Sequence, residues 1–321
     1  MCSASGSRSE SSYHLASRDC RSAFSALTVV GEGIVIQKKR ATMNPLVTPG
    51  WLVQRLGDPS VVILDATLPP VGVTPPIDTH ARYLAKHIPG ALFFDIEELS
   101  DLSTPLPHML STPEAFSQSM STLGVSDQIS IVIYEQESVF SAPRAWWMLR
   151  TFGARNVCIL DGGLHAWIEA GFATEAGRTS RAPATFCARL DHDAVKDFAE
   201  IQHMIAKHGQ ILDARSSGRF TGALPEPRPG ISSGHMPGAL NTPFTELVED
   251  RCLKSVDRLR EDFTAKGVNL KQPITTTCGS GVTAAVVALC LEIAGATHVS
   301  LYDGSWAEYA QQPEAIIEKS N

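Results

Sequence analysis

The chain carries one layout twice, and this constrains its fold more than any other feature. VVILDA (Val61 to Ala66) has a partner in QILDAR (Gln210 to Arg215). HIPGAL (His87 to Leu92) matches HMPGAL (His235 to Leu240), and Asp65 to His87 and Asp213 to His235 are both separations of 22 residues. ISIVIY (Ile129 to Tyr134) matches PITTTC (Pro273 to Cys278), and VCILDGGLHAW (Val157 to Trp167) matches VSLYDGSWAEY (Val299 to Tyr309). Matched elements in the same order describe a duplicated unit of roughly 130 residues, an ordinary domain size. Each unit alternates short β-branched runs with helical stretches such as APRAWWMLRTFG (Ala142 to Gly153). Strands alternating with helices pair in parallel. The expectation is therefore an α/β fold of two tandem domains, each a parallel sheet with helices on both faces. The first covers 43–173, a Gly/Ser/Thr/Pro-containing linker covers 174–185, and the second covers 186–321.

Composition removes several function classes. Lys and Arg number 27 against 34 Asp and Glu, a net charge of −7, which speaks against a nucleic-acid partner. The longest apolar run, around Ala284 to Ala294, is interrupted by Glu292. It falls short of the ~18 residues of a membrane span. The seven cysteines (Cys2, Cys20, Cys158, Cys187, Cys252, Cys278, Cys290) form no CxxC pair and no Cys/His cluster, so no metal site is expected. So few cysteines in a long chain suit a reducing compartment and a cytoplasmic location. Residues 1–42 are serine-rich and basic, without the apolar core of a secretory signal. Two readings fit: a transit peptide, which would make the location mitochondrial, or a disordered or non-native leader ahead of Met43. The acidic residues Glu10, Asp19 and Glu32 favour the second.

The two units differ at one place. The second reads TTTCGSGVT, so Cys278 ends a strand and Gly279, Ser280 and Gly281 lead into a helix at Val282 and Thr283. The first reads YEQESVFSAPR there, with Glu135 and Gln136 near the cysteine position. Ligands of open α/β sheets collect at the carboxyl ends of strands. Gly279 and Gly281 permit a tight turn with inward amides. The helix start favours a negative charge by ~0.3–2 kcal/mol. A thiolate or a persulfide anion on Cys278 gains from both. A cysteine is ordinarily a small buried hydrophobe, and Cys158 and Cys290 read that way. The context of Cys278 points to chemistry.

The tandem layout and the loop CGSGVT resemble the two-domain rhodanese superfamily and, within it, the 3-mercaptopyruvate sulfurtransferase family. The resemblance runs from about Pro45 to the C-terminus. It implies a persulfide carried on Cys278 in the second domain and a catalytically silent first domain, in keeping with Glu135 and Gln136. Relatives that use thiosulfate carry basic residues after the cysteine, whereas Gly279 and Ser280 are neutral. Charge is instead offered by Arg219 in GRF and Arg228 in EPRPG, which match the family's substrate-binding arginines; Arg215 is read as structural. Guanidinium forks suit a carboxylate beside a keto oxygen. The resemblance further implies a Ser–His–acid set of Ser280, His108 and Glu97, the last longer than the aspartate of several relatives. Asp95 is read as structural. His87 and His235 recur in both halves and are read as fold-building.

The implied reaction takes 3-mercaptopyruvate on Arg219 and Arg228, with Gly279, Gly281, Val282 and Thr283 around the sulfur. It passes sulfur through Cys278 to thioredoxin, a small thiol or cyanide, releases pyruvate and requires no metal or organic cofactor. The competing readings are a thiosulfate sulfurtransferase, a non-catalytic persulfide carrier and a phosphatase. The last needs an arginine where Ala284 stands and a loop one residue longer.

Overall fold

The computed structural model describes residues 44–70, 72–73 and 75–320. The leader read in residues 1–42, with Cys2 and Cys20, lies outside them. The first repeat forms a sheet from β1 (Leu46–Val47), β2 (Val61–Asp65), β3 (Leu92–Phe93), β4 (Ser130–Tyr134) and β5 (Asn156–Leu160), in the order β1-β5-β4-β2-β3. The second forms another from β6 (Val195–Lys196), β7 (Gln210–Asp213) and β8 (Leu240–Asn241), then, after a small antiparallel pair β9 (Val248–Glu249) and β10 (Cys252–Leu253), β11 (Ile274–Thr277) and β12 (Val299–Tyr302). Its order is β6-β12-β11-β7-β8. Each strand thus sits where its repeat partner sits, and the pairs within both five-stranded sheets are parallel.

Helices cover both faces, as parallel sheets require. The first half has α1 (Pro49–Val53), α2 (Thr79–Ala85), α3 (Pro113–Leu123), α4 (Ala142–Thr151) and α5 (Gly163–Glu169). The second has α6 (Phe198–Ala206), α7 (Ser217–Thr221), α8 (Val256–Ala265), α9 (Val282–Ala294) and α10 (Ser305–Tyr309). Side chains alternate along each strand. Val62 and Leu64 of β2 therefore join one apolar cluster, while Val61 and Ile63 join another on the opposite face.

The first of these clusters crosses between the halves. It includes Ile133, Trp146 and Leu149 of the first and Leu212, Ala285 and Leu301 of the second. Its centre is the packing of α4 on α9. Helix α9 is buried nearly all round, as a helix with no polar stripe must be. Burying a large aliphatic or aromatic side chain is worth ~1.5–3 kcal/mol, so this shared core holds the halves as one body.

His87 and His235 play equivalent parts. Each is buried, with Nδ1 2.8 Å from the Tyr83 and Phe220 carbonyls respectively. Their backbones pair with Glu175 and Glu318, pinning the end of each half. Segment 174–185 has no helix or strand, yet it is not loose. Arg181 Nη1 donates to the Val61 carbonyl at 3.1 Å, and the Ala184 amide to the Ser121 carbonyl at 3.0 Å.

Candidate active site

Strand register identifies the position of Cys278 in the other half. Asp213 pairs with Thr277, and Asp65 pairs with Tyr134. Cys278 and Glu135 are therefore equivalent positions, each the first residue beyond the central strand. Cys278 is 2% exposed. Its amide donates to Ser305 Oγ at 3.3 Å, and its carbonyl and that of Gly279 accept from Trp306 and Ala307 at 2.9 and 3.0 Å. The first turn of α10 thus holds the loop by its carbonyls. Gly281 precedes α9 at φ +79°, and no side chain caps the helix. A Cβ at Gly281 would stand 2.8 Å from Arg144 Nη1, and one at Gly279 2.8 Å from Arg219 Nη2. Gly281 is required by its left-handed backbone and by the buried Arg144 packed on it, whereas a side chain at Gly279 would displace the end of Arg219.

Ser280, His108 and Glu97 come together across the two halves. His108 Nδ1 is 3.1 Å from Ser280 Oγ, and Nε2 is 2.9 Å from Glu97 Oε1. The longer glutamate therefore reaches the ring. The hydrogen bond to His108, helped by charge from His108 and Arg228, holds the Glu97 carboxyl below its usual range against the opposing effect of burial. His108 itself sits at φ +61°, a left-handed conformation that costs a non-glycine residue ~1–3 kcal/mol. Asp95 turns the chain ahead of His108, accepting from the Glu97 and Glu98 amides at 3.0 and 3.2 Å.

The arginines divide by their partners. Arg215 is buried, bound to Asp213 and Glu226, and stacked 4.1 Å from the Trp306 ring. Arg219 shares Glu226, its Nε donating to Oε2 at 3.0 Å. Arg228 has no ion-pair partner among the described residues. Burial and the Arg219 charge push its pKa down, against the pull of Cys278, Glu97 and Glu226. Arg219, Arg228, Val282 and Thr283 line a cavity of about 510 Å³ with Cys278, Gly279, Ser280 and His108. Leu68, Val139 and Phe140 of the first half form an apolar wall of the same cavity.

The first half's loop is filled from within. Both Glu135 oxygens accept hydrogen bonds, from the Phe140, Ser141 and Ala142 amides at 2.8, 2.8 and 3.1 Å and from Ser141 Oγ at 3.0 Å. Burial pushes this carboxyl up to about 7, against those four donors. Where one half presents a thiol to a cavity, the other inserts a carboxyl group into its own loop.

Two residues that the sequence reading passes over also belong to the site. Glu226 ties Arg219 to Arg215, and its only sequence signal is its place two residues before Arg228. Arg144 is fully buried in α4 and reaches the Gly281 carbonyl at 3.4 Å and the His108 carbonyl. An arginine in the apolar stretch APRAWW was its visible trace.

A family model described as a rhodanese-like domain matches residues 48–170 and again 197–312. The chain belongs to the rhodanese family. Its relatives include the 3-mercaptopyruvate sulfurtransferase of Escherichia coli K12, 44% identical over 84% of this chain and 95% of that one. The thiosulfate sulfurtransferase of Cricetulus griseus is 37% identical over 85% and 94%. Among solved structures, SseA from Escherichia coli, described as having the rhodanese fold of 3-mercaptopyruvate sulfotransferases, superposes with a TM-score of 0.76 at 42% identity. That match covers 82% of this chain and 99% of SseA. The tandem α/β architecture is thus the rhodanese fold in duplicate.

Proposed function

We propose that the chain is a 3-mercaptopyruvate sulfurtransferase working through a persulfide on Cys278. The observation that carries this reading is a buried cysteine on an uncharged glycine loop, with two arginines set around the cavity beside it. A thiosulfate dianion calls for charge at the sulfur. A keto acid calls for it at the carboxylate, away from the sulfur.

In the proposed reaction Arg228, with Arg219, holds the carboxylate and keto oxygen. The Cys278 thiolate attacks the substrate sulfur, forming the S–S bond as the C–S bond breaks. The electron pair leaves as pyruvate enolate, which takes a proton to give pyruvate. The Ser280 hydroxyl, hydrogen-bonded to His108, is placed to pass that proton, and Glu97 fixes the ring. The outer sulfur then goes to cyanide as thiocyanate, or to a small thiol or thioredoxin as a new persulfide. A second thiol on the acceptor releases it as hydrogen sulfide and forms a disulfide. Residues 186–321 carry this chemistry, 43–173 support it, and 174–185 connect them. Use of a thiol acceptor suits a reducing compartment such as the cytoplasm.

Cys278→Ser tests the reading. Pyruvate release from 3-mercaptopyruvate should disappear while the fold persists. Retained turnover would remove Cys278 from the mechanism.

A further inference from the structure

We propose that Arg144, from the catalytically silent half, is a positioning residue that sets His108 against the Cys278 loop. Its guanidinium has no exposure and joins three separate pieces of the site. It donates to the carbonyl of His108 and, at 3.4 Å, to that of Gly281, the residue between Ser280 and α9. It also pairs with Asp303 at 2.8 Å, just beyond β12. The other Asp303 oxygen accepts from the Leu110 amide at 2.7 Å. Asp303 and Arg144 therefore hold this segment at two points, the carbonyl of the left-handed His108 and the amide of Leu110. Trp147 stacks 4.6 Å from the guanidinium and fixes its plane.

The internal duplication supplies a control. Asp161 is the repeat partner of Asp303, and the Leu253 amide of the opposite half favours its charged form. Two residues earlier Arg251 is left-handed, as His108 is two residues before Leu110. Arg144 is the third residue of α4, and the third residue of α9 is Ala284. No arginine reaches Asp161 from that place, whereas Asp303 Oδ1 lies 2.8 Å from the Arg144 guanidinium as an ion pair; among the described residues neither oxygen has a partner of good hydrogen-bond geometry. A segment of the opposite half approaches the aspartate in both cases, so that approach alone needs no arginine. The arginine occurs where the crossing segment carries the histidine beside Ser280.

This inference rests on the proposed role of His108, and one mutant cycle separates the two. Turnover of 3-mercaptopyruvate is measured for Arg144→Lys, His108→Ala and the double variant, with thermal unfolding of each. Lysine keeps the charge near Asp303 but cannot span both carbonyls. Arg144→Lys should lower kcat about ten-fold or more, with a smaller change in KM. In the His108→Ala background the same substitution should add less than about two-fold, since the group it positions is gone. Full, independent losses in both backgrounds would overturn the clamp, as would an Arg144→Lys enzyme within about two-fold of the parent. If His108→Ala alone keeps parental kcat, the proposed role of His108 fails instead. Should Arg144→Lys not fold, Asp303→Asn carries the same cycle, because its amide oxygen still accepts from Leu110 but no longer pairs with the arginine.

Discussion

At the residue scale, Glu226 decides how free each arginine is. It neutralises Arg219 and anchors it to the buried Arg215, whereas Arg228 has no carboxylate paired to it among the described residues. An arginine desolvated without a partner gains most from a bound anion. Arg228→Ala should therefore lower kcat/KM for 3-mercaptopyruvate by about 2–5 kcal/mol, and Arg219→Ala by less. Steady-state kinetics of the two variants check the ranking; a loss under about 1 kcal/mol at Arg228 would make it peripheral. The residues of this site were unequally legible. Cys278 is displayed by its strand-end, glycine-turn context, whereas Ser280, Arg219 and Arg228 stand in short motifs that the family resemblance assigns to the site. His108 and Glu97 required the family resemblance, because His108 lies 172 positions from the serine it meets. Glu226 and Arg144 were missed because their parts are created by folding. A glutamate between prolines and an arginine in an apolar helix have no local pattern that says what they touch.

At the element scale, two loops in one register took opposite solutions. The Cys278 loop is short, and its helix start is uncapped by any side chain. The Glu135 loop is longer, and its own carboxylate gathers the amides. The carboxyl that stands near 4.5 in the unfolded chain is raised to about 7 in the fold. The folded state then holds the extra proton between those values. Its contribution is most favourable below pH ~4.5 and is lost as pH rises toward ~7, by a few kcal/mol at ~1.4 kcal/mol per unit. Urea midpoints of the parent and of Glu135→Gln should therefore diverge in slope over that window, the variant being flatter. Parallel curves would contradict the assignment. The variant should be weaker in absolute terms, since an amide nitrogen faces donors. The strands and helices that frame both loops were readable from periodicity and repetition. The two-residue edge strands β1, β3, β6 and β8 were not, because two residues carry no period.

At the scale of the whole molecule, the first half is part of the candidate site. It supplies His108, Glu97 and Arg144 and one apolar wall of the cavity, and it shares a core with the second half through α4 and α9. The duplication was legible in the sequence, down to equal spacings, and the shared sheet order follows from it. The crossing contacts were not, since α/β repeats predict each domain but not how two of them face. The assembled cavity, with neutral groups at the sulfur and cations beside them, leads to a claim about donors. The most direct measurement is kcat/KM for 3-mercaptopyruvate and for thiosulfate, side by side, with one acceptor. The account predicts a preference for 3-mercaptopyruvate of at least about 100-fold, ~2.7 kcal/mol. Equal values, or a preference for thiosulfate, would contradict it.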